Sequence, residues 1–271
     1  MLDIIIPFYN KSELTIQCLE SIMDAAVLQP RIILVDDGSE QPESDKVFFY
    51  IKSTGWPHRF VRKEINKGYK EAVQSGILEC HQQFIILLNN DTLLTPGFDE
   101  KLTRVLINDP SIKAAAPVSN HPTDLFQFRD NLYDIDPDKF CTPAEVENAF
   151  RHNNPAGNEL LTIAPYLTGM CLALDREVLM KVGVFDPYYK NGYFEDLDLC
   201  CRIREEGYRL AIVENCFVYH QGHATYRQKT QEEKQSIIFH NFKIFGEKWG
   251  HISEHKELLL KMEFAGKEDP I

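Results

Sequence analysis

The chain has 271 residues, of which 44% are hydrophobic and 26% are charged, and its formal net charge is −12. A chain of this length can bury a sizeable core, and it fits one large α/β domain or a domain with an appendage. The negative charge argues against an extended nucleic-acid interface, because such an interface needs a surplus of Lys and Arg. Any anionic ligand must therefore be held locally, by a divalent cation, a helix N-terminus or a few basic side chains.

Hydropathy and cysteine spacing indicate a cytoplasmic protein. The longest apolar runs, such as Phe84–Leu88, are far shorter than the ~20 residues of a membrane-spanning helix. The first residues lack the basic region of a secretory signal. The seven cysteines are scattered without a C-x-x-C pair, so we expect reduced, mostly buried thiols and no zinc site.

The N-terminal third of the chain repeats one pattern, in which an apolar run of strand length precedes a polar turn and a helix-period stretch. Strands are predicted at Leu2–Ile6, Arg31–Val35, Phe60–Lys63 and Phe84–Leu88, and helices from about Lys11 or Ser12 and over Tyr69–Cys80. This alternation is typical of βαβ units in a parallel sheet. Phe84–Leu88 is apolar throughout, which favours a central strand covered on both faces.

The middle of the chain differs in composition, since Ser119–Asn158 is rich in Pro, Asp and Asn and has one helical candidate at Pro143–Phe150. We interpret it as a mostly irregular insertion, and long loops of this kind are usually functional or disordered. Further on, strands are predicted at Met170–Leu174, Arg209–Val213 and Phe217–Tyr219, and helices at Arg176–Val182, about Glu195–Glu206 and Gln228–Lys261.

Polar residues follow three of the predicted strands, at Pro7–Asn10, Asp36–Ser39 and Asn89–Thr92. Each segment alone is more often a turn cap, but ligands of an open α/β sheet bind beyond the carboxyl ends of its strands, so the three together indicate one crevice. Neither a dinucleotide fingerprint nor a P-loop follows the first strand, which leaves a hard cation as the natural holder of phosphates. Asp91 and His220 have side chains suited to bind Mg²⁺ or Mn²⁺.

Several segments of the chain form a set of recognisable motifs, of which Gly192–Arg202 is the most distinctive. The others are Ile4–Lys11, Val35–Ser39, Asn66–Gly68 with Ala72 and Gly76, Leu88–Asp91, and Thr168–Cys171. Together they resemble the inverting glycosyltransferases of family 2, which have the nucleotide-sugar-binding GT-A fold, and the resemblance runs from about Leu2 to Tyr226. One position departs from the family, because Asn89 replaces the first acidic residue of its D-x-D metal motif and leaves Asp91 as the charged ligand.

The resemblance implies an α/β architecture of the GT-A class. We expect a Rossmann-like, mostly parallel central sheet with helices on both faces and a C-terminal helical segment. Residues 1–227 are expected to form the catalytic domain, with a nucleotide-sugar-binding half at 1–118, the insertion at 119–160 and an acceptor and catalytic half at 161–227. Residues 228–271 are expected to form a C-terminal helical extension.

The resemblance also implies the reaction, in which a sugar passes from a UDP- or dTDP-sugar to an acceptor hydroxyl with inversion, in cell-surface polysaccharide or glycoconjugate synthesis. By position, Asp196 is the catalytic base and Glu195 its alternative, although acidic residues there also suit a helix N-terminus. Asp91 and His220 are the expected ligands of Mn²⁺ or Mg²⁺. The expected donor-binding residues are Pro7, Tyr9, Asn10, Asp36, Asp37, Asn66, Gly68, Asn89 and Asn90.

Three residues near the predicted metal ligand His220 have weaker claims to a role. His223 is a second histidine candidate for the metal. Arg227 and Lys229 are either ordinary solvated charges or a lid that neutralises the donor diphosphate.

Two other functions stay open. A sugar-nucleotide pyrophosphorylase also has a nucleotide crevice, but its Gly-rich loop with Arg and Lys is missing from Pro7–Asn10. A non-catalytic nucleotide-sugar-binding module would keep the fold without turnover, and the departure at Asn89 keeps that alternative open.

The tail helix has three interpretations. We favour packing against the catalytic core over a homo-oligomer contact or attachment to the inner face of the membrane. The negative net charge weakens the membrane interpretation, because anionic lipid favours basic faces. A separate alternative is that the whole chain is one catalytic unit of a longer, multidomain enzyme.

Overall fold

A computed structural model gives the fold of the chain. It describes residues 2–121, 127–129, 145–146, 148, 150, 161–190, 192–222 and 230–251. Most of the predicted insertion at 119–160, including part of the helical candidate at Pro143–Phe150, lies outside these residues. The described residues form one sheet with helices packed on both of its faces.

The first half of the sheet is parallel, as predicted. Its elements in chain order are β1 (Leu2–Phe8), α1 (Ser12–Ala25), β2 (Arg31–Asp36), α2 (Gln41–Thr54), β3 (His58–Arg62), α3 (Tyr69–Leu78) and β4 (Phe84–Leu88). The strands lie in the order β3-β2-β1-β4, each parallel to its neighbour. The sequence does not predict α2, because only Ser44, Val47 and Ile51 of that helix are buried and its apolar pattern is correspondingly weak.

The second half of the sheet mixes parallel and antiparallel pairs. Its elements are β5 (Thr92–Leu94), α4 (Phe98–Asn108), β6 (Ile112–Ser119), β7 (Leu161–Ala164), β8 (Cys171–Asp175), α5 (Arg176–Val182), α6 (Glu195–Glu205), β9 (Arg209–His220) and α7 (Gln231–Trp249). The full order is β3-β2-β1-β4-β8-β6-β9-β5, with β7 paired to β9. Since β8 runs antiparallel to both β4 and β6, the sheet is less parallel than the mostly parallel sheet that we predicted.

β9 is one strand where the sequence predicts two. Its pairing with β6 jumps from Pro117 opposite Val213 to Val118 opposite Phe217, so a bulge interrupts the strand between the two predicted runs. A bulge adds unpaired residues to one strand and bends it. The polar residues at this point therefore break the apolar pattern without ending the strand.

The core consists of two apolar clusters, one on each face of the sheet. Alternate residues of β1 point to opposite faces and so belong to different clusters. Ile5 packs with α3 on one face, and Ile4 and Ile6 pack with α1 on the other. The contact with α3 is close, since a Cβ on Gly76 would lie 2.5 Å from Cγ2 of Ile5. A glycine at position 76 therefore lets α3 approach the strand that leads to the candidate site.

The C-terminal helix α7 packs onto the core, as the favoured interpretation of the tail predicts. Phe245 and Trp249 are buried in the same cluster as Ile5. The helix begins with a capping box, in which the Thr230 hydroxyl accepts the N–H of Glu233 and the Glu233 carboxylate accepts the N–H of Thr230. The predicted continuation to Lys261 lies outside the described residues.

Two expectations about the whole chain can be compared with this fold. Within the described ranges, no helix is both long and apolar enough to span a membrane. The cysteines in the same part of the chain are buried, as predicted.

Candidate active site

The loops that follow β1 and β2 are joined by hydrogen bonds. The N–H of Asn10 donates to the Ser39 hydroxyl (2.7 Å), and the N–H of Glu40 donates to Oδ1 of Asn10 (2.9 Å). The loop after β4 is tied to α1 through Asn90, whose Nδ2 donates to the Thr15 hydroxyl (2.9 Å). The three predicted strand ends therefore meet at one edge of the sheet.

The two aspartates at the end of β2 have different roles in this crevice. Asp36 is buried, and its Oδ1 accepts the N–H of Ser39 (2.8 Å), so it shapes the turn. Asp37 accepts the N–H groups of Lys67 (3.1 Å) and Gly68 (2.6 Å) and lies 2.7 Å from Nζ of Lys63. Asp37 thus fixes the segment that enters α3 against the end of β2.

The same two segments approach each other closely at Gly38. A Cβ there would lie 2.5 Å from the carbonyl carbon of Ile65 and 2.6 Å from the N of Asn66, and its φ is +78°. Only glycine fits this place. Asn66 is exposed beside it.

The expected donor-binding residues of β1 differ in accessibility. Pro7 is buried inside the strand and pairs with Val35. Tyr9 and Asn10 are partly exposed at the strand end, and Asn10 has a left-handed backbone (φ 53°). The side chain of Pro7 therefore belongs to the core, whereas Tyr9 and Asn10 are accessible at the strand end that borders the crevice.

The two expected metal ligands lie next to each other beyond β4. Thr92 of β5 pairs with His220 of β9, which brings the preceding residue, Asp91, to the end of β9. Oδ1 of Asp91 is 3.5 Å from Nε2 of His220, and the side chains are 7% and 10% exposed. The structure therefore brings together two residues that are far apart in the sequence.

This donor set fits a divalent cation. A carboxylate oxygen and an imidazole nitrogen that face each other suit Mn²⁺. Within the described ranges, no third His, Cys, Asp or Glu joins them in a cluster. That composition matches a site in which substrate phosphates supply further ligands.

The backbone of His220 is fixed by Asn120, a residue of the predicted insertion. The Oδ1 of Asn120 accepts the N–H of His220 (2.8 Å), and its Nδ2 donates to the carbonyl of His220 (3.2 Å). The ring of His121 lies 5.2 Å from the ring of His220. The sequence does not predict either residue, because the composition of the insertion does not show which of its residues reach the crevice.

The segment from Thr168 to Met170 lies between the Asp91–His220 pair and the acidic motif. The N–H of Asn89 donates to the carbonyl of Met170 (2.9 Å). The N–H of Gly169 donates to Oδ2 of Asp196 (2.9 Å). The start of α6 is therefore held close to the end of β4, and the acidic pair faces the same crevice as Asp91.

The two carboxylates of the acidic motif have opposite environments. Asp196 is partly exposed, and its oxygens accept the N–H groups of Gly169 and Leu197 (both 2.9 Å), which stabilise an ionised carboxylate. Glu195 is 7% exposed, and Oε2 has no hydrogen-bond partner among the described residues. Burial raises the pKa of Glu195 most, the charge of Asp196 raises it further, and together they move it from 4.5 to about 8. Near neutral pH, Asp196 is thus the accessible carboxylate and Glu195 retains its proton.

Comparison with known proteins identifies the family. Residues 3–183 match the model of glycosyl transferase family 2. The chain belongs to glycosyltransferase family 2. An uncharacterized glycosyltransferase of Haemophilus influenzae is 24% identical over 208 residues, which is 76% of this chain and 63% of that protein. The chain thus spans less than two thirds of that relative's length.

Solved structures place this family 2 chain in the GT-A fold. One similar structure is the mannosyltransferase PcManGT from Pyrobaculum calidifontis in complex with GDP-Man and Mn²⁺. The match has a TM-score of 0.62 at 16% identity and covers 89% of this chain and 63% of PcManGT. GalNAc-T7 with UDP, GalNAc and Mn²⁺ has a TM-score of 0.64 at 17% identity and covers 81% of this chain and 43% of that one. The predicted GT-A fold is therefore confirmed.

In this family 2 chain, the sequence predicts Tyr69 only as the start of a helix, but the structure brings Tyr69 to the candidate site. Its hydroxyl donates to the carbonyl of Gly169 (3.4 Å). Desolvation raises the pKa of Tyr69, and the negative charges of Glu195, Asp196 and Asp91 raise it further. Tyr69 therefore lies beside the Thr168–Met170 segment, near Asp91 and the acidic pair.

The second half of the family 2 acidic motif has a structural role. Asp198 is buried, and its carboxylate accepts hydrogen bonds from Arg202 (2.8 Å), Trp249 (2.9 Å) and Tyr189 (3.3 Å). Nζ of Lys248 lies 2.7 Å from the same carboxylate. Asp198 therefore joins α6 to α7, which explains an acidic residue here without a role in the reaction.

Three expectations for the segment after β9 fall on residues that the structure does not describe. They are the second histidine candidate His223 and the candidate lid residues Arg227 and Lys229. Their roles in this family 2 chain stay predictions.

The environment of Glu195 predicts how stability depends on pH. The folded protein keeps the Glu195 proton up to about pH 8, whereas the unfolded chain releases it near 4.5, so rising pH between these values destabilises the fold. Glu195→Gln removes this titration. The variant is expected to lose less free energy of unfolding than the wild type between about pH 5 and about pH 8.5 in metal-free urea titrations. Parallel losses in the two proteins would show that Glu195 titrates normally.

Proposed function

We propose that the chain is an inverting, metal-dependent glycosyltransferase that moves a sugar from a UDP- or dTDP-sugar to an acceptor hydroxyl. The observation that carries this proposal is the arrangement of the crevice. The Asp91–His220 pair lies beyond the end of β4, and Asp196 lies across the Thr168–Met170 segment from it. One side suits a diphosphate with its cation, and the other offers an accessible carboxylate.

The donor is held by the loops that follow β1, β2 and β4. Tyr9 and Asn10, partly exposed at the end of β1, are proposed to contact the nucleoside together with the segment that Asp37 fixes. Asn89 and Asn90 are partly exposed at the end of β4, where they are proposed to contact the ribose or the diphosphate. Asp91 and His220 are proposed to hold a Mn²⁺ or Mg²⁺ ion that, when bound, offsets the charge on the departing nucleoside diphosphate.

The acceptor reacts on the opposite face of the donor sugar. Its hydroxyl oxygen forms a bond to the anomeric carbon while the bond from that carbon to the diphosphate breaks, which inverts the configuration. The hydroxyl proton passes to the Asp196 carboxylate, which is partly exposed, whereas Glu195 is buried and its pKa is raised to about 8. While Glu195 stays protonated, Glu195 adds no negative charge beside the base.

The acceptor is proposed to be a saccharide or another hydroxyl compound in polysaccharide or glycoconjugate synthesis. The two metal-bound structural neighbours carry GDP-Man in one case and UDP with GalNAc in the other. The choice of a uridine or thymidine nucleotide therefore needs a direct test.

A thermal-shift panel of UDP, dTDP, GDP and CDP, each with Mn²⁺, Mg²⁺ or EDTA, tests the donor side. UDP or dTDP is expected to raise Tm by several degrees only with metal, since ligand at about 100 times Kd adds about 2.7 kcal/mol of stability. CDP serves as the control for weak phosphate binding. A panel without any shift would remove the proposal, and a metal-independent shift would remove the role of the ion.

Release of sugar from the donor, with and without acceptor hydroxyls, separates an enzyme from a binding module. The proposal expects Mn²⁺-dependent hydrolysis or transfer. A wild-type protein that binds nucleotide sugar but turns over no donor with a broad acceptor panel would instead be a non-catalytic module.

A further inference from the structure

The loop that leads into α6 has an unfavourable backbone at the two residues before the acidic pair. Tyr193 and Phe194 have φ values of 66° and 72°, and both carry large side chains. Non-glycine residues adopt left-handed backbones at a cost, and such conformations persist where the surrounding structure holds them. Phe194 is also the N-cap of α6, so this backbone sets the direction in which Glu195 and Asp196 leave the loop.

Asn241 of α7 holds this loop through its backbone. The side chain is completely buried, and its Oδ1 accepts the N–H of Lys190 (2.8 Å). Its Nδ2 lies within hydrogen-bond distance of the carbonyls of Lys190 (2.9 Å), Gly192 (2.8 Å) and Tyr193 (2.9 Å), so one of its two N–H groups is shared between two carbonyls. These hydrogen bonds all cross from α7 to the loop, and one of them reaches a residue with left-handed backbone.

Other residues of α7 hold the chain on both sides of the acidic pair, in the loop before it and in α6 after it. The ring of Phe194 lies 5.3 Å from the ring of Phe245 and 6.1 Å from that of Phe242. Beyond the pair, Asp198 accepts the indole N–H of Trp249 (2.9 Å). Glu195 and Asp196 therefore lie between two points that α7 fixes.

We infer that Asn241 is a positioning residue for the proposed base. It holds the left-handed turn at Tyr193 and Phe194, and so directs the carboxylate of Asp196 toward the acceptor hydroxyl. This inference rests on the proposed function. It assigns part of the active-site geometry to the C-terminal helix, which lies outside the residues matched by the family model.

A role in positioning makes a different prediction from a role in stability alone. If Asn241 positions Asp196, its loss lowers kcat while the nucleotide site, built from the loops after β1, β2 and β4, keeps its affinity. A purely structural Asn241 would affect activity only to the extent that the protein unfolds. Small displacements of a catalytic group lower rates strongly, up to about 100-fold for roughly 1 Å.

Asn241→Ala and a matched control test this inference. Asp99 of α4 is also completely buried, and its carboxylate accepts the N–H groups of Val27 (3.1 Å) and Leu28 (2.8 Å). That loop precedes β2, at the edge of the sheet opposite the crevice. Asp99→Ala therefore removes a comparable bond between helix and loop without touching the site. Tm, the Kd of UDP or dTDP with Mn²⁺, KM and kcat are measured for both variants, below their melting temperatures.

Asn241→Ala is expected to lower kcat by about 10- to 100-fold with nucleotide Kd nearly unchanged, whereas Asp99→Ala lowers Tm and keeps kcat. Asn241→Asp is the second variant, for use if Asn241→Ala does not fold. It preserves the side-chain volume but places carboxylate oxygens against the loop carbonyls, and it is expected to show the same loss of kcat. The inference is overturned if the Asn241 variants keep the kcat of the wild type. It is also overturned if Asn241→Ala and Asp99→Ala lose kcat equally. Either result leaves the proposed function standing. A wild type without transfer activity overturns the proposed function as well.

Discussion

Replacing Asp196 by asparagine is expected to lower kcat by about 10²- to 10⁴-fold, because a general base typically contributes that much to a rate. Asparagine has nearly the same volume, and its single oxygen can keep one of the two N–H bonds from Gly169 and Leu197. The amide cannot take a proton from a hydroxyl. Nucleotide affinity should stay unchanged, since Asp196 lies on the acceptor side of the crevice.

The control for Asp196→Asn is Glu205→Gln. Glu205 is an exposed carboxylate near the C-terminal end of the same helix, so this variant changes one charge of α6 away from the crevice. Glu205→Gln is expected to match the wild type in kcat and KM. If Asp196→Asn keeps wild-type kcat and Glu195→Gln loses it, the base is Glu195. If both variants stay active, the acidic motif does not supply the base.

The first half of the fold could be predicted because its local patterns agree with its tertiary contacts. Phe84–Leu88 is apolar throughout and lies at the centre of the sheet, between β1 and β8. The second half was harder, because strand order and direction depend on contacts between distant residues. The antiparallel entry of β8 beside β4 has no signature in the composition of either strand.

The residues of the candidate site also divide into those that local sequence patterns predict and those that they do not. Asp91, His220 and Asp196 could be named from motifs, because each motif is short and keeps its residue types together. Asn120 and Tyr69 could not, since their side chains reach the site through pairing of β9 and packing of α3 that no local pattern records. Asp198 shows the opposite limit, because its motif suggests chemistry while its partners make it structural.

Asp91→Asn is expected to lower kcat by roughly 10³-fold and to raise the Mn²⁺ concentration that half-saturates activity. A metal ion contributes several kcal/mol to a transition state with developing negative charge, and each 1.36 kcal/mol corresponds to about tenfold in rate. The effect should be large here because, among the described residues, the ion's expected protein ligands are one carboxylate and one imidazole. His220→Ala is expected to act in the same direction.

Mn²⁺ titrations of donor hydrolysis, with His81→Ala as control, measure this effect. His81 is exposed and precedes β4, at the edge opposite the crevice, so its loss should leave the Mn²⁺ dependence unchanged. The comparison must include EDTA-treated protein. If Asp91 holds the ion, the wild type loses activity in EDTA down to the level of Asp91→Asn. Equal activity of the wild type with and without EDTA, together with an active Asp91→Asn variant, would mean that protein groups alone stabilise the departing diphosphate.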